Sequence, residues 1–411
     1  MENRRHRHHH RPWYSQGIVT SIRRVRYFIF LRDVLILTVS AFGGPQAHMT
    51  LLLKMMVEKR RYLSEKDLME LYALCQILPG PSSTQTITAI GYRIGGPKLA
   101  FLTLLVWMLP AVTLMTAAAV TLSNLQEQEL SLHFTRFIQP MAVGFVFYAA
   151  YTISVKVVNT KSGVAIMVVA TIISFLIRKP YIFPLLLLIA GVITSIKYRK
   201  HPRQKKEKLQ IKWGNLVIWI TILVIAAITA GITKSVPVRI FENFYRNGSL
   251  IFGGGQVLIP LLYTEFVDFK EYLTSEEFLT GYALVQAIPG PVFSFSAFIG
   301  SLAMRNYGIG GEIVGALMAS LGIFLPGTFL IFFMVRFWDG LKKHRVIKAS
   351  LEGIVAASSG MVIAAALLLL EPLSLSVWNV GIVVGTILLL QFTRIPPPVI
   401  ILGGLLAGIF L

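Results

Sequence analysis

The stretch "LCQILPGPSSTQ" occupies residues 74–85, and a variant, "LVQAIPGPVFSFS", returns at residues 284–296. Each breaks an apolar run at Pro-Gly-Pro and follows the break with hydroxyl side chains. Proline has no N–H and its ring clashes with the preceding turn, so a helix does not continue through the motif. The question is what an apolar chain gains by stopping a helix twice.

Composition sets the class. Of 411 residues, 55% are hydrophobic and 14% charged, against about a quarter charged in soluble domains; mean hydropathy is +0.68. Residues 100–122, 141–158, 163–177 and 354–370 carry almost no charge, and each approaches the roughly 20 residues that cross a ~30 Å hydrocarbon core. The chain reads as an all-α polytopic protein of the plasma (inner) membrane. The first 26 residues are polar and basic and show no cleavable signal peptide. The single cysteine, Cys75, excludes an internal disulfide and reads as structural.

The net charge of +20 is a membrane signal once it is located. Arg4, Arg5, Arg11, Arg23, Arg24 and Arg26 crowd the N-terminus, residues 197–212 form a second basic block, and Arg336 to Lys348 a third. These blocks flank apolar segments, as the positive-inside rule expects of cytoplasmic loops. No nucleic-acid partner is expected, and the tract at His6–His10 reads as a basic tail facing anionic lipid.

An internal repeat sets the architecture. Shifted by 210 residues, residues 42–81 lie over 252–291 without a gap, and sixteen of the 40 positions are identical, including the glycines, glutamines and Pro-Gly-Pro. The expected organisation is a basic cytoplasmic tail (1–26), an N-terminal half (27–197), a basic loop with a linking transmembrane helix (198–236) and a C-terminal half (237–411). Loop 54–66 is basic where its equivalent carries Glu265, Asp268, Glu271, Glu276 and Glu277. Equivalent loops therefore face opposite sides, and the duplication reads as an inverted-topology repeat. Residues 27–53 and 62–93 then start and end on the cytoplasmic face with a breaker at each centre, FGGP and PGP. Each half is expected to hold two re-entrant helical hairpins and about four full spans, since broken backbone at membrane depth is tolerated only inside protein or beside a cavity. Kinked straight spans are the alternative. Asp33, Glu352 and Glu371 are expected at exposed span ends, and Glu58, Asp67, Glu265 and Asp268 at solvated hairpin mouths.

In transporters built from repeats, the substrate site lies at the repeat interface. Pro81 and Pro291 each start a new helix, whose first-turn N–H groups and dipole face the break. The residues expected around an oxyanion are Pro79, Gly80 and Pro81 with Pro289, Gly290 and Pro291 at the breaks, and Ser82, Ser83, Thr84, Ser294 and Ser296 as hydroxyl donors. FGGP and FGGG open two more helices with little bulk, adding Gly43, Gly44, Pro45, Gly253, Gly254 and Gly255. Gln46, Gln76, Gln85, Gln256 and Gln286 supply amides, and His48, whose counterpart is Leu258, can titrate or donate. Such a site is electropositive without a lysine. Each motif alone also reads as helix caps and packing glycines; duplication in register favours the site. Arg93 and Arg305 each end a helix, where a cation complements the C-terminus.

"FGGPQAH", "ALCQILPGPSSTQ" with "IGYRIGG", and "FGGGQVLIP" with "AIPGP" resemble the chromate ion transporter family in its long form, from Tyr27 to Leu411. The resemblance implies export of chromate, with sulfate as its look-alike. It implies functional roles for Phe42, Gly43, Gly44, Pro45, His48, Gln76, Pro79, Gly80, Pro81, Gln85 and Gly91, and for Gly253, Gly254, Gly255, Pro260, Glu265, Pro289, Gly290 and Pro291. The chain departs from the family at Met55, where a glutamate is frequent, and at Tyr62 and Tyr272, where tryptophan is. No nucleotide loop, HExxH, GxSxG or Cys–His cluster appears, so neither an enzyme nor a bound cofactor or metal is expected. The expected partners are chromate or sulfate as substrate, membrane lipid and, as one option, a second copy in a homodimer. A lipid-handling protein and an anion channel of this architecture are the rival readings.

Overall fold

The computed structural model describes residues 14–128, 132–197, 213–252, 255, 257–335 and 344–411. Helices dominate and no strand occurs among the described residues. The His6–His10 tract, most of the 197–212 block, much of the third basic block, and Gly253, Gly254 and Gln256 lie outside them.

The first half contains α1 (Tyr14–Ser40), α2 (Gly44–Leu52) running on as a π-helix (Leu53–Lys59), α3 (Glu65–Ile77), α4 (Ser82–Glu127), α5 (Ile138–Val157), α6 (Lys161–Leu176) and α7 (Ile182–Ser195). A linking helix, α8 (Gly214–Thr233), leads to α9 (Val236–Leu250), α10 (Leu258–Tyr263) with its own π-helix (Thr264–Phe269), and α11 (Ser275–Ala287). Then come α12 (Phe295–Ala303), α13 (Gly308–Met334), α14 (Arg345–Leu370), α15 (Val377–Phe392) and α16 (Pro397–Phe410).

Local conformation repeats as the sequence does. Gly80 and Gly290 hold φ of 120° and 115°, and Arg61 and Glu271 hold φ of 51° and 53°. Ser64 and Thr274 cap α3 and α11 with φ −77° in both. α4 turns sharply at Gly96 (φ 73°), and α13 begins at the matching Gly308 (φ 70°).

Ion pairs show that the broken segments fold back on themselves. Asp67, at the start of α3, pairs at 3.4 Å with Arg93, near the end of the arm that follows PGP. Glu277 of α11 pairs likewise with Arg305. The two arms on either side of each PGP are therefore antiparallel. Across FGGP, Asp33 of α1 accepts from Arg60 and from the Tyr62 hydroxyl, both at 2.8 Å, and Arg246 of α9 donates to both Glu265 oxygens at 2.9 and 3.3 Å. This corrects two expectations. Asp33 and Glu265 are buried, at 0% and 1% exposure, because an acid that fastens two packed arms is desolvated along with its base.

Among the described residues, five segments are long and apolar enough to cross a membrane: 82–127, 133–155, 214–233, 305–334 and 345–370. Two of them lie in each half and one links the halves. The remaining expected spans, α6, α7, α15 and α16, have 16, 14, 16 and 14 residues, or roughly 21–24 Å at 1.5 Å per residue. The halves interlock: α14 packs on α6 and α7, and α15 on α5. A Cβ on Gly353 would lie 2.0 Å from the Ala190 carbonyl oxygen, and one on Gly360 2.3 Å from that of Met167. Helix backbones touch there, the close approach that small residues permit.

Candidate anion site where the four breaks cross

Two backbone hydrogen bonds organise the centre. Gly80 N–H donates to the Ile251 carbonyl at 2.7 Å, and Gly290 N–H donates to the Ala41 carbonyl at 2.9 Å. Ala41 and Ile251 stand immediately before the two Phe-Gly-Gly motifs, 210 residues apart like the glycines that bind them. Each Pro-Gly-Pro is thus docked on the other half's glycine break. The fit is tight. A Cβ on Gly290 would lie 2.7 Å from Ala111 Cβ, and one on Gly80 2.9 Å from Gln85 Nε2 and 3.3 Å from Gly327 Cα. Ala111 follows Pro110 inside α4, and Gly327 follows Pro326 inside α13. Each half's proline-bearing long helix therefore backs the other half's break.

Between these breaks lies a cavity of about 20 Å³, walled by His48, Ser82, Ser83 and Thr84 on one side and by Gly255, Pro291 and Phe293 on the other. α4 opens at Ser82 directly after Pro81, whose φ of −76° suits a helix start. Its unpaired first-turn N–H groups and about half a positive charge therefore sit at the cavity. Ser83 is 6% exposed, and its Oγ has no protein partner. His48 Nε2 lies 3.1 Å from the Ala41 carbonyl; since a carbonyl only accepts, Nε2 carries the hydrogen. The ring stands edge-on to Trp107 at 5.5 Å, and Trp107 Nε1–H donates to Thr84 Oγ at 3.1 Å. His48 Nδ1 is buried without a protein partner. The volume admits about one water, not a four-oxygen anion.

The expected residues fall into three groups. His48, Pro81, Ser82, Ser83, Gly255 and Pro291 line the cavity. Pro79, Gly80, Pro289 and Gly290 form the cross-docked turns. Gly43 and Gly44, with φ of 90° and 76°, start α2 with Pro45 in its first turn; Gly43 is exposed, and open space lies where a Gly44 Cβ would point. The glutamines scatter. Gln85 Nε2 donates to the Pro79 carbonyl at 2.8 Å and the Gly327 carbonyl at 3.3 Å, clamping the turn. Gln76 is exposed on α3, whose buried face is Leu68, Leu71, Leu74 and Cys75. Gln286 is half-buried with a free Nε2, and Ser294 is fully buried with a free Oγ but does not reach the cavity wall. The Gln46 side chain lies outside the described residues.

Three of the four expected helix starts lie at their breaks. α2 and α4 begin there, and so does the helix after the second Pro-Gly-Pro, whose first turn, Val292–Ser294, is 3₁₀ and runs into α12; α10 begins only at Leu258 and has six residues. Where Pro45 presets φ in the first half, Gly255 leaves it free. Sequence reading missed Trp107, Gly327, Ala111 and the two accepting carbonyls. A proline followed by a small residue inside each long apolar run was the one signal available.

Residues 29–195 and 238–409 match the family described as chromate transporter. Over 395 residues the chain is 26% identical to a chromate transport protein of Cupriavidus metallidurans, covering 94% of this chain and 92% of that one. A chromate transport protein of Pseudomonas aeruginosa is 25% identical over 332 residues, 78% of this chain and 76% of that one. An uncharacterized transporter of Bacillus subtilis is 27% identical over 182 residues, which are 42% of this chain but 96% of that protein, the length relation of one repeat unit to two. No solved structure matches the chain.

Proposed function

The chain belongs to the chromate transporter family, and from that premise we propose that it exports a tetrahedral oxyanion, chromate with sulfate as its look-alike, from the cytoplasm. The observation that carries this reading is the reciprocal docking of the breaks, which puts the α4 N-terminus, Ser83 and His48 around one small cavity lined by no lysine or arginine. A dianion held by dipoles and hydroxyls is bound without being trapped, as it would be by a desolvated lysine pair.

In the proposed topology the halves are inverted and the hairpins re-entrant. The N-terminus and loops 54–66, 92–98, 156–161 and 197–212 face the cytoplasm, and residues 268–277 and the C-terminus face outside. A cavity of about 570 Å³ then opens outward, lined by Gln126, Arg136, Gln139, Glu276, Thr280 and Asn379. A second, of about 220 Å³, lies against Thr280 and Leu284, one helical turn apart on α11. We take these as the release route toward the break at the end of that helix. An interior-negative membrane drives the step: at ~2.3 kcal/mol per charge per 100 mV, each dianion leaving gains about 4.6 kcal/mol. Export needs no nucleotide.

A cavity of about 20 Å³ at the breaks, too small for a tetrahedral anion, favours a carrier over an anion channel of the same architecture, in which a continuous pore would cross the breaks. Purified protein in proteoliposomes loaded with labelled chromate or sulfate tests the reading. Saturable efflux that rises with an inside-negative voltage, and countertransport of unlabelled anion, are expected. Flux no greater than in protein-free vesicles would refute it.

A further inference from the structure

Resting on the reading of this cavity as the oxyanion site, we infer that His48 binds the anion only as an imidazolium, so that each dianion entering the site draws one proton onto Nδ1.

The tautomer is fixed by the backbone. Nε2–H is spent on the Ala41 carbonyl, the same oxygen that accepts from Gly290 N–H across the halves, and Trp107 blocks rotation of the ring. In the neutral ring, Nδ1 is therefore a lone pair at the cavity. His48 is 2% exposed and that nitrogen has no protein partner. A lone pair repels an anion, whereas a protonated Nδ1 is a charge-assisted donor, about twice as strong as a neutral one.

Among the described residues, no other side chain lining the cavity carries a charge. The groups facing the cavity are Ser82, Ser83 and Thr84 from α4, Gly255 from the second glycine break, and Pro291 to Phe293 from the second PGP; Trp107 of α4 stands edge-on to the ring. None of these is charged or titrates near neutral pH. The acid and base of the same hairpin, Asp33 and Arg60, are paired with each other at 2.8 Å. Asp33 precedes Ala41 by eight residues, about 12 Å along the helix. In the second half Leu258 stands at the equivalent position, and Glu265 is committed to Arg246. A dianion entering a charge-free, desolvated cavity thus has a single group whose charge adjusts to it, and the proton comes from the aqueous phase that the anion leaves.

Sulfate is the probe, because it stays a dianion from about pH 6 to about pH 9, where histidine changes charge. Sulfate binding to the purified protein would be measured across that range by calorimetry, with proton uptake followed by indicator dye in weak buffer. Wild type should lose affinity about tenfold per pH unit at the alkaline end and take up close to one proton per sulfate. His48→Gln keeps a donor for the Ala41 carbonyl but cannot be protonated. It should bind more weakly, without a pH slope and without proton uptake. Saturable wild-type binding with no slope and no proton uptake overturns this inference and leaves the site standing, as does a His48→Gln protein that keeps both. Absence of saturable binding to wild type overturns the inference and the site together.

Discussion

After the first Pro-Gly-Pro the chain reads Ser82-Ser83-Thr84, and after the second Val292-Phe293-Ser294, although the glycines before them hold φ within a few degrees of each other. The same contrast runs through both halves. His48 faces Leu258, Pro45 faces Gly255, and the clamp Gln85 faces Phe295, whose ring packs edge-on to Phe278. Buried acids trade places too: Asp33 lies on the first arm of its hairpin and Glu265 on the second arm of the other. Duplication has kept the backbone, which glycine and proline dictate, and released the side chains. One half presents donors and the other a wall of ring and backbone.

The largest test compares the two PGP hairpin mouths. Glu277 is 5% exposed beside Arg305, and Asp67 is 47% exposed beside Arg93. Arg305→Met removes the counter-charge of a buried carboxylate, leaving it Gln126 Nε2 and the Thr274 N–H as donors, and should destabilise the protein by about 3–5 kcal/mol. Arg93→Met removes an open pair worth about 0–1 kcal/mol. Thermal denaturation in detergent would measure both; equal losses would mean that the two mouths are equivalent after all.

A step smaller, the docked glycines should differ. Gly290→Ala meets both its φ of 115° and the Ala111 methyl, and should cost about 2–5 kcal/mol. Gly80→Ala meets the movable end of Gln85 and should cost less. Adding Ala111→Gly to Gly290→Ala should return the steric part and leave the backbone part. If it returns nothing, the break is not backed by α4.

The smallest effects concern affinity. Pro81→Ala removes the ring that presets φ where α4 begins and loosens the first-turn N–H groups at the cavity. Losing one charge-assisted bond of about 1.5–3 kcal/mol predicts roughly a ten- to 150-fold weaker apparent affinity for chromate or sulfate. Pro291→Ala should do less, since a 3₁₀ turn rather than an α-helix follows it. Ser83→Ala should cost about 0.5–1.5 kcal/mol, and Ser294→Ala, whose hydroxyl stands off the cavity wall, nothing. Equal losses at Pro81 and Pro291 would mean that the two PGP helix starts are equivalent.

Much of the fold was legible because its causes are local. Proline lacks an N–H, glycine alone holds φ near 120° at no steric cost, and an apolar run of about 20 residues has few homes outside a membrane. Those facts act on a few neighbouring residues, so the breaks, the repeat and the membrane class could be read from the sequence alone, as could the grouping of His48, Ser82 and Ser83, which line one cavity. What the chain's tertiary structure decided is which distant groups meet. That Gly80 binds Ile251, that Gln85 clamps the turn while Gln76 faces outward, and that Asp33 and Glu265 are buried all depend on partners from other helices. Three glutamines beside two breaks look alike in sequence. Only the packing of one half against the other distinguishes them, because a hydrogen bond forms where two atoms come within 3 Å, however far apart they lie along the chain.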